Sequence, residues 1–171
     1  MARKLIRMCG EEFIQKMVNG ERNFSRVELP KGTDLTKLTE YNNMNDLLKK
    51  RSLKEYKRDA IILEYTSLVG LIAHNIWLPS ADFSHADLSN SDFSSSFLRR
   101  ANFAYANVSG VNFFSAELSR ADFFNANLSN SSLRKASLSR TNFAHTKLYK
   151  ADLRDAKDFN EAMNFQYAFF I

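Results

Sequence analysis

The chain has 171 residues, of which 44% are hydrophobic and 25% charged, and a formal net charge of +5. That length fits one domain or a rod with a cap, and no run of eighteen apolar residues is present to form a membrane-spanning helix. Cys9 is the sole cysteine, which rules out an intrachain disulfide and makes a reducing, cytoplasmic home the expectation.

The basic N-terminus, Met1 to Val18, has no uninterrupted apolar segment and turns acidic at Glu11 and Glu12, so it does not read as a secretory signal. Glu11 to Val18 reads as a short amphipathic helix, with Phe13, Ile14, Met17 and Val18 on one side and Gly20 past its end. Phe24 and Leu29, five apart, look like an isolated turn of a repeat found later in the chain. Residues 1–30 are therefore expected to form a cap helix plus a repeat-like turn. Residues 31–60 are expected to form a helical insertion. There Pro30-Lys31-Gly32 makes a turn, Asp34 can cap a short helix, and Ser52 to Glu55 matches a capping box. Lys49, Lys50, Arg51, Lys54, Lys57 and Arg58 are the most basic part of the chain, serving either as a solvated helix face or as an anionic-partner contact.

From Ala81 to Asp155 the chain repeats every five residues. The middle of each block is apolar in all fifteen blocks, from Phe83, Leu88 and Phe93 to Leu148 and Leu153, and two residues earlier sits a small residue, Ala in nine of them. Period five fits neither a helix at 3.6 nor a flat strand at 2. Residues two apart on an extended backbone point to the same side, so each block puts one small and one large side chain inward and then turns. A second period of twenty runs through Phe83, Phe103, Phe123 and Phe143, and through Arg100, Arg120 and Arg140. It predicts four blocks per coil, with residues twenty apart stacked vertically at about 4.8 Å. The register traces back to Ile61, with Leu63, Leu68, Ala73 and Leu78 as centres, so the coil is expected to span 61–171. It slips after Asp155. The apolar tail, with Phe165, Tyr167, Phe169, Phe170 and Ile171, either closes the last coil or makes an end-to-end homodimer contact.

These blocks, such as Ala81-Asp82-Phe83-Ser84-His85 and Ala86-Asp87-Leu88-Ser89-Asn90, resemble the pentapeptide-repeat family, whose consensus is A(D/N)LxX. The resemblance covers 75 of 171 residues. It implies a mainly β fold, a right-handed quadrilateral β-helix, here with an N-terminal helical cap and insertion. It says less about function, because one fold serves many roles. Some members of the family resemble B-form DNA in width and charge and bind DNA gyrase, which requires a predominantly negative rod. Residues 79–171 hold ten Lys/Arg against nine Asp/Glu, which is nearly neutral.

No catalytic constellation is present. The glycines form no phosphate-binding loop, His74, His85 and His145 fit no metal-ligand pattern, and neither a metal nor a cofactor is expected. The outer Asp residues read as solvated surface. Two outward columns remain as candidate partner sites. Arg100, Arg120 and Arg140 stack at one corner beside Arg99, where like charges repel unless the column Asp82, Asn102, Asp122 and Asn142 compensates them. They form either a structural ladder with that column or an anion-binding stripe. His85, Tyr105 and His145 share the next corner with Phe124 alongside, an exposed aromatic patch that suggests a protein contact. Phe97, Phe114 and Tyr149 are further outward aromatics. The leading expectation is a non-enzymatic, rigid interaction module for a protein partner. Its rivals are DNA mimicry toward gyrase and direct nucleic-acid contact, and no membrane association is expected.

Overall fold

The computed structural model describes residues 4–51, 55 and 59–169. From Ile61 onward the backbone runs as a coil in which the second residue of each five-residue block bridges in parallel to the residue twenty positions later, until the last two bridges, Asn142 to Met163 and Lys147 to Phe169. Four columns of bridges result. The first face carries Ile62, Asp82, Asn102, Asp122 and Asn142, and the second carries Ser67, Asp87, Asn107, Asn127 and Lys147. The third carries Ile72, Asp92, Asn112, Ser132 and Asp152, and the fourth carries Trp77, Phe97, Glu117, Ser137 and Lys157.

One block shows why the five-residue unit closes on itself. Its first amide makes the turn, Ala86 N donating to the Phe83 carbonyl at 3.1 Å. The second and third amides join neighbouring coils, Asp82 N to the Ile61 carbonyl at 2.9 Å and Phe83 N to the Asn102 carbonyl at 2.7 Å. The fifth does so as well, His85 N to the Ala104 carbonyl at 3.0 Å. Only the fourth amide is left over, and Asp82 Oδ1 accepts it from Ser84 at 2.9 Å. Buried backbone donors need partners, so the Asp or Asn of the second position is a structural acceptor. The expectation of plain solvated surface there is corrected accordingly. At Trp77, one of several second positions without an Asp or Asn, no such acceptor is needed, because the fourth residue of that block is Pro79, which has no amide hydrogen. The fifth residue turns each corner in the left-handed region, with φ of 58° at His85, 62° at Tyr105 and 62° at Arg120.

Inside, the large side chains stack along the axis. Phe83, Phe103 and Phe123 lie 4.9 Å apart ring to ring, and Phe93 and Phe113 form a second column that meets the first edge to face at 5.7 to 6.0 Å. Polar small residues in the interior are also satisfied, since Thr141 Oγ1 donates to the Leu118 carbonyl at 2.9 Å and Thr146 Oγ1 to the Phe123 carbonyl at 2.7 Å.

At the N-terminal end β1 (Ile6–Arg7) pairs in parallel with β2 (Val27–Glu28). Between them α1 (Gly10–Val18) packs Phe13 against Phe24 at 4.8 Å. Repeat-like pairing continues beyond Pro30, since Asn23, Glu28 and Asp34 bridge to Ile62, Ser67 and Ile72 on three faces. Asp34 caps a 3-10 turn, Leu35–Lys37. The fourth face is met by α2 (Tyr41–Lys49), whose side chains stand in for a missing coil. Asn45 Oδ1 accepts from Trp77 N at 3.0 Å, and Tyr41 donates its hydroxyl to the His74 carbonyl at 2.6 Å. Burial raises the Tyr41 pKa, so the hydroxyl stays a donor. The helix expected after Ser52 lies outside the described residues, as do Lys54, Lys57 and Arg58.

The register slip near Asp155 is an expansion of the block from five residues to six. Lys157 bridges Ser137, Met163 bridges Asn142 and Phe169 bridges Lys147. The extra residues sit in short 3-10 turns, Phe159–Glu161 and Phe165–Tyr167. Phe165 is half-buried against Phe159 at 4.5 Å and Phe143 at 5.8 Å. Phe170 and Ile171 lie outside the described residues.

Candidate interaction surface

Corner residues project away from the core because a left-handed residue reverses the chain between two faces. The corner after the first face carries Tyr65, His85, Tyr105, Asn125 and His145. The imidazole of His85 is sandwiched between Tyr65 at 4.6 Å and Tyr105 at 4.9 Å, with interplanar angles of 5° and 2°. Arg26, the corner residue of the first coil, places its guanidinium 5.4 Å from the Tyr65 ring. Below Tyr105 the corner is Asn125, and Phe124 fills the gap from the face. Its ring meets Tyr105 edge-on at 5.5 Å and His145 at 5.7 Å. His145 in turn contacts Tyr167 at 6.3 Å and Phe169 at 6.2 Å.

The four expected members, His85, Tyr105, Phe124 and His145, are therefore brought together, and the ridge is longer than the sequence reading had it. Tyr65, Tyr105, Tyr167 and Phe169 are 46, 52, 56 and 47% exposed. Tyr65 was within reach of the five-residue register, two positions after Leu63. Arg26 was not, because residues 31–60 intervene, and the six-residue blocks hide Tyr167 and Phe169. Tyr167 and Phe169, assigned from the sequence to a terminal end, thus also extend this ridge. Beside its upper part Glu64 faces Asp82. Partial burial, and then the neighbouring carboxylate, raise the Glu64 pKa, with His85 and Arg26 acting the other way.

The corner between the fourth and first faces carries Ser80, Arg100, Arg120 and Arg140. The expected compensation by the Asp/Asn column is not realised as ion pairs. Asp82 Oδ1 is taken by Ser84 N and by Asn102 Nδ2 at 3.0 Å, and Asp122 Oδ1 by Phe124 N at 2.9 Å and Asn142 Nδ2 at 2.8 Å. Asp and Asn alternate in this column because an amide can donate to the carboxylate above it, whereas two stacked carboxylates would repel.

Elsewhere, Arg154 clamps Asp152 with Nη2 2.6 Å from Oδ2, and this hydrogen bond, above all, holds the Asp152 carboxyl at about 2. Lys135 lies over the Phe114 ring at 5.4 Å and Lys150 over Tyr149 at 4.9 Å, while Phe97 stacks on Trp77 at 3.8 Å. Those three outward aromatics thus have partners of their own and do not join the ridge. Among the described residues no three His, Cys, Asp or Glu side chains converge to hold a metal ion, and no helix is long and apolar enough to cross a membrane.

Residues 81–120 and 116–155 match the family model for pentapeptide repeats, with 8 copies. Among curated proteins none matches the chain. Similar solved structures include Rfr23, a pentapeptide repeat protein from the cyanobacterium Cyanothece 51142, 17% identical over 96% of this chain and 91% of that one, with a TM-score of 0.49. A pentapeptide repeat protein from the Arabidopsis thaliana thylakoid lumen is 26% identical over 70% of this chain and 63% of that one, with a TM-score of 0.37. QnrB1, a plasmid-mediated fluoroquinolone resistance protein, is 15% identical over 86% of this chain and 69% of that one, with a TM-score of 0.46.

Proposed function

We propose that the protein, whose residues 81–155 match the family model for pentapeptide repeats, is a non-enzymatic interaction module that presents a rigid ridge to a protein partner. In this reading the coil is a right-handed quadrilateral β-helix, closed at its N-terminal end by α1 and the 31–60 insertion, and the protein is cytoplasmic. The observation that carries the proposal is the continuous aromatic corner from Tyr65 through His85, Tyr105, Phe124 and His145 to Tyr167 and Phe169. Corner positions elsewhere carry no aromatic ring: they are small and polar, such as Asn90, Ser95, Ser115 and Asn130, or charged, such as Arg100, Arg120 and Lys135. Stacked rings offer partners their edges and hydroxyls on a backbone that has no freedom left to lose, and Tyr is among the residues that dominate protein interfaces. Tyr167, Phe169 and the tail beyond them are the side through which a homodimer would form.

The test is affinity capture with quantitative mass spectrometry, comparing wild type with a Tyr105→Ser, Phe124→Ser variant whose fold is verified by circular dichroism. Loss of specific captured proteins supports the ridge, and an unchanged set refutes it. DNA mimicry is disfavoured by a 79–171 segment with ten cations and nine anions. A gyrase supercoiling assay is expected to show neither inhibition nor protection from quinolones.

A further inference from the structure

The arginine corner carries a cost for which the fold shows no return. Arg100, Arg120 and Arg140 have φ of 61°, 62° and 57°, a region L residues with long side chains disfavour and Asn or Gly tolerate. They are stacked one coil apart, about 4.8 Å along the axis, so three like charges share a line. Among the described residues none of the three, nor Arg99, makes an ion pair or a side-chain hydrogen bond. The carboxylates that could answer them are engaged otherwise. Asp82 and Asp122 accept from backbone and Asn side chains, Glu117 Oε1 accepts from Ser119 N at 3.1 Å, and Glu161 Oε2 accepts from the Ser139 hydroxyl at 2.6 Å.

The backbone of this corner is closed to a partner. Arg100, Arg120 and Arg140 donate their amides to the carbonyls of Ser119, Ser139 and Glu161 at 3.0, 2.8 and 3.2 Å. A peptide could add no strand here, and the corner offers side-chain charge alone. Beside it lies a cleft of about 70 Å³ lined by Pro79, Ser80, Phe97, Arg99 and Arg100. Charge in a line suits the phosphates of a single-stranded nucleic acid, and the part of the Phe97 ring that its stack on Trp77 leaves to the cleft offers partial contact to one unstacked base. A duplex keeps its bases stacked and has no use for the cleft.

We propose that the Arg99, Arg100, Arg120 and Arg140 corner, with the Phe97 cleft, binds the phosphodiester backbone of single-stranded nucleic acid. The site is separate from the aromatic ridge, so either can fail without the other.

The test is fluorescence anisotropy with a labelled 20-nucleotide oligothymidine and a 20-nucleotide oligouridine, alongside a 20-base-pair duplex and poly-glutamate. At about 0.7 counterions released per phosphate contact, four arginines give a log–log salt slope of about −3, an affinity loss of about fifty-fold between 50 and 200 mM salt. Arg100→Asn, Arg120→Asn and Arg140→Asn together leave one contact and a slope of about −0.7, a loss of only about threefold over that range. The triple variant is also expected to melt above wild type, which separates lost binding from lost folding. Absence of single-strand binding at 50 mM salt overturns the proposal. So does equal affinity in the triple variant, equal or tighter binding of the duplex, or equal binding of poly-glutamate, the mark of a corner for acidic proteins.

Discussion

Tyr105 and Arg120 sit on different corners with the same backbone, φ of 62° in both, and each donates its amide to the coil below at 2.8 Å. What projects from them differs. Tyr105 is held by neighbours, His85 on one side and Phe124 on the other. Arg120 lies between two more arginines and has no ion pair among the described residues. The coil therefore asks only for a residue able to enter the left-handed region and leaves the side chain free, so corner identity carries information about surface rather than fold. On the aromatic corner the side chains stabilise one another as well as forming a surface. On the arginine corner they work against stability, which makes binding the more economical explanation of their presence.

The comparison holds only while both corners share one interior. Phe103 is fully buried between Phe83 and Phe123, and Phe103→Ala is expected to cost about 3–5 kcal/mol in denaturant unfolding, with both corners lost in one transition. Separate transitions would mean that the faces are not one cooperative stack. The next effect is in the shared walls. Asn102→Val removes the acceptor for Ala104 N, 3.0 Å away, and the donor to Asp82 Oδ1, and is expected to cost about 1–3 kcal/mol. A neutral result would show that the second-position amide or carboxylate is not a structural acceptor.

The corners themselves are contrasted most sharply by one substitution made on each. Tyr105→Asn breaks two ring contacts and is expected to lower stability by about 0.5–1.5 kcal/mol. Arg120→Asn relieves repulsion and backbone strain and is expected to raise it by up to about 1 kcal/mol. Equal signs in thermal melts would erase the distinction between the corners. The smallest effect concerns Glu64 at the head of the aromatic ridge. Its folded pKa is raised, so the folded state holds its proton more tightly and stability falls as pH rises through the region above 4.5, its ordinary value. Glu64→Gln is thus expected to be slightly more stable than wild type at pH 7, with the difference vanishing in acid. A difference that grows in acid would reverse the assignment.

Much of this was legible because a single period governs both core and surface. The apolar residue in every third position of a block marks Phe83 to Leu153 as core without any structure. Counting by twenty then places His85 over Tyr105 and Arg100 over Arg120. What stayed hidden depends on hydrogen-bond accounting or on broken registers. Nothing in the sequence says that Asp82 accepts from the amide two residues on, because that need arises only once the other four amides of the block are spent on turns and neighbouring coils. Asn45 taking the place of a coil opposite Trp77 is invisible for the same reason. Arg26 lies 39 residues before Tyr65 and Tyr167 lies 22 after His145, so an insertion at one end and six-residue blocks at the other conceal the full length of the ridge.

The vertical stacking that creates both corners can be measured by continuous-wave EPR on nitroxide pairs in a Cys9→Ser background. Labels at Ser109→Cys and Ser129→Cys, one coil apart on the second face, are predicted to show strong dipolar broadening, while labels at Ser109→Cys and Ser119→Cys, on opposite faces, are predicted to show little. Broadening in the ten-residue pair and its absence in the twenty-residue pair would contradict the coil, and with it every column of side chains on its surface.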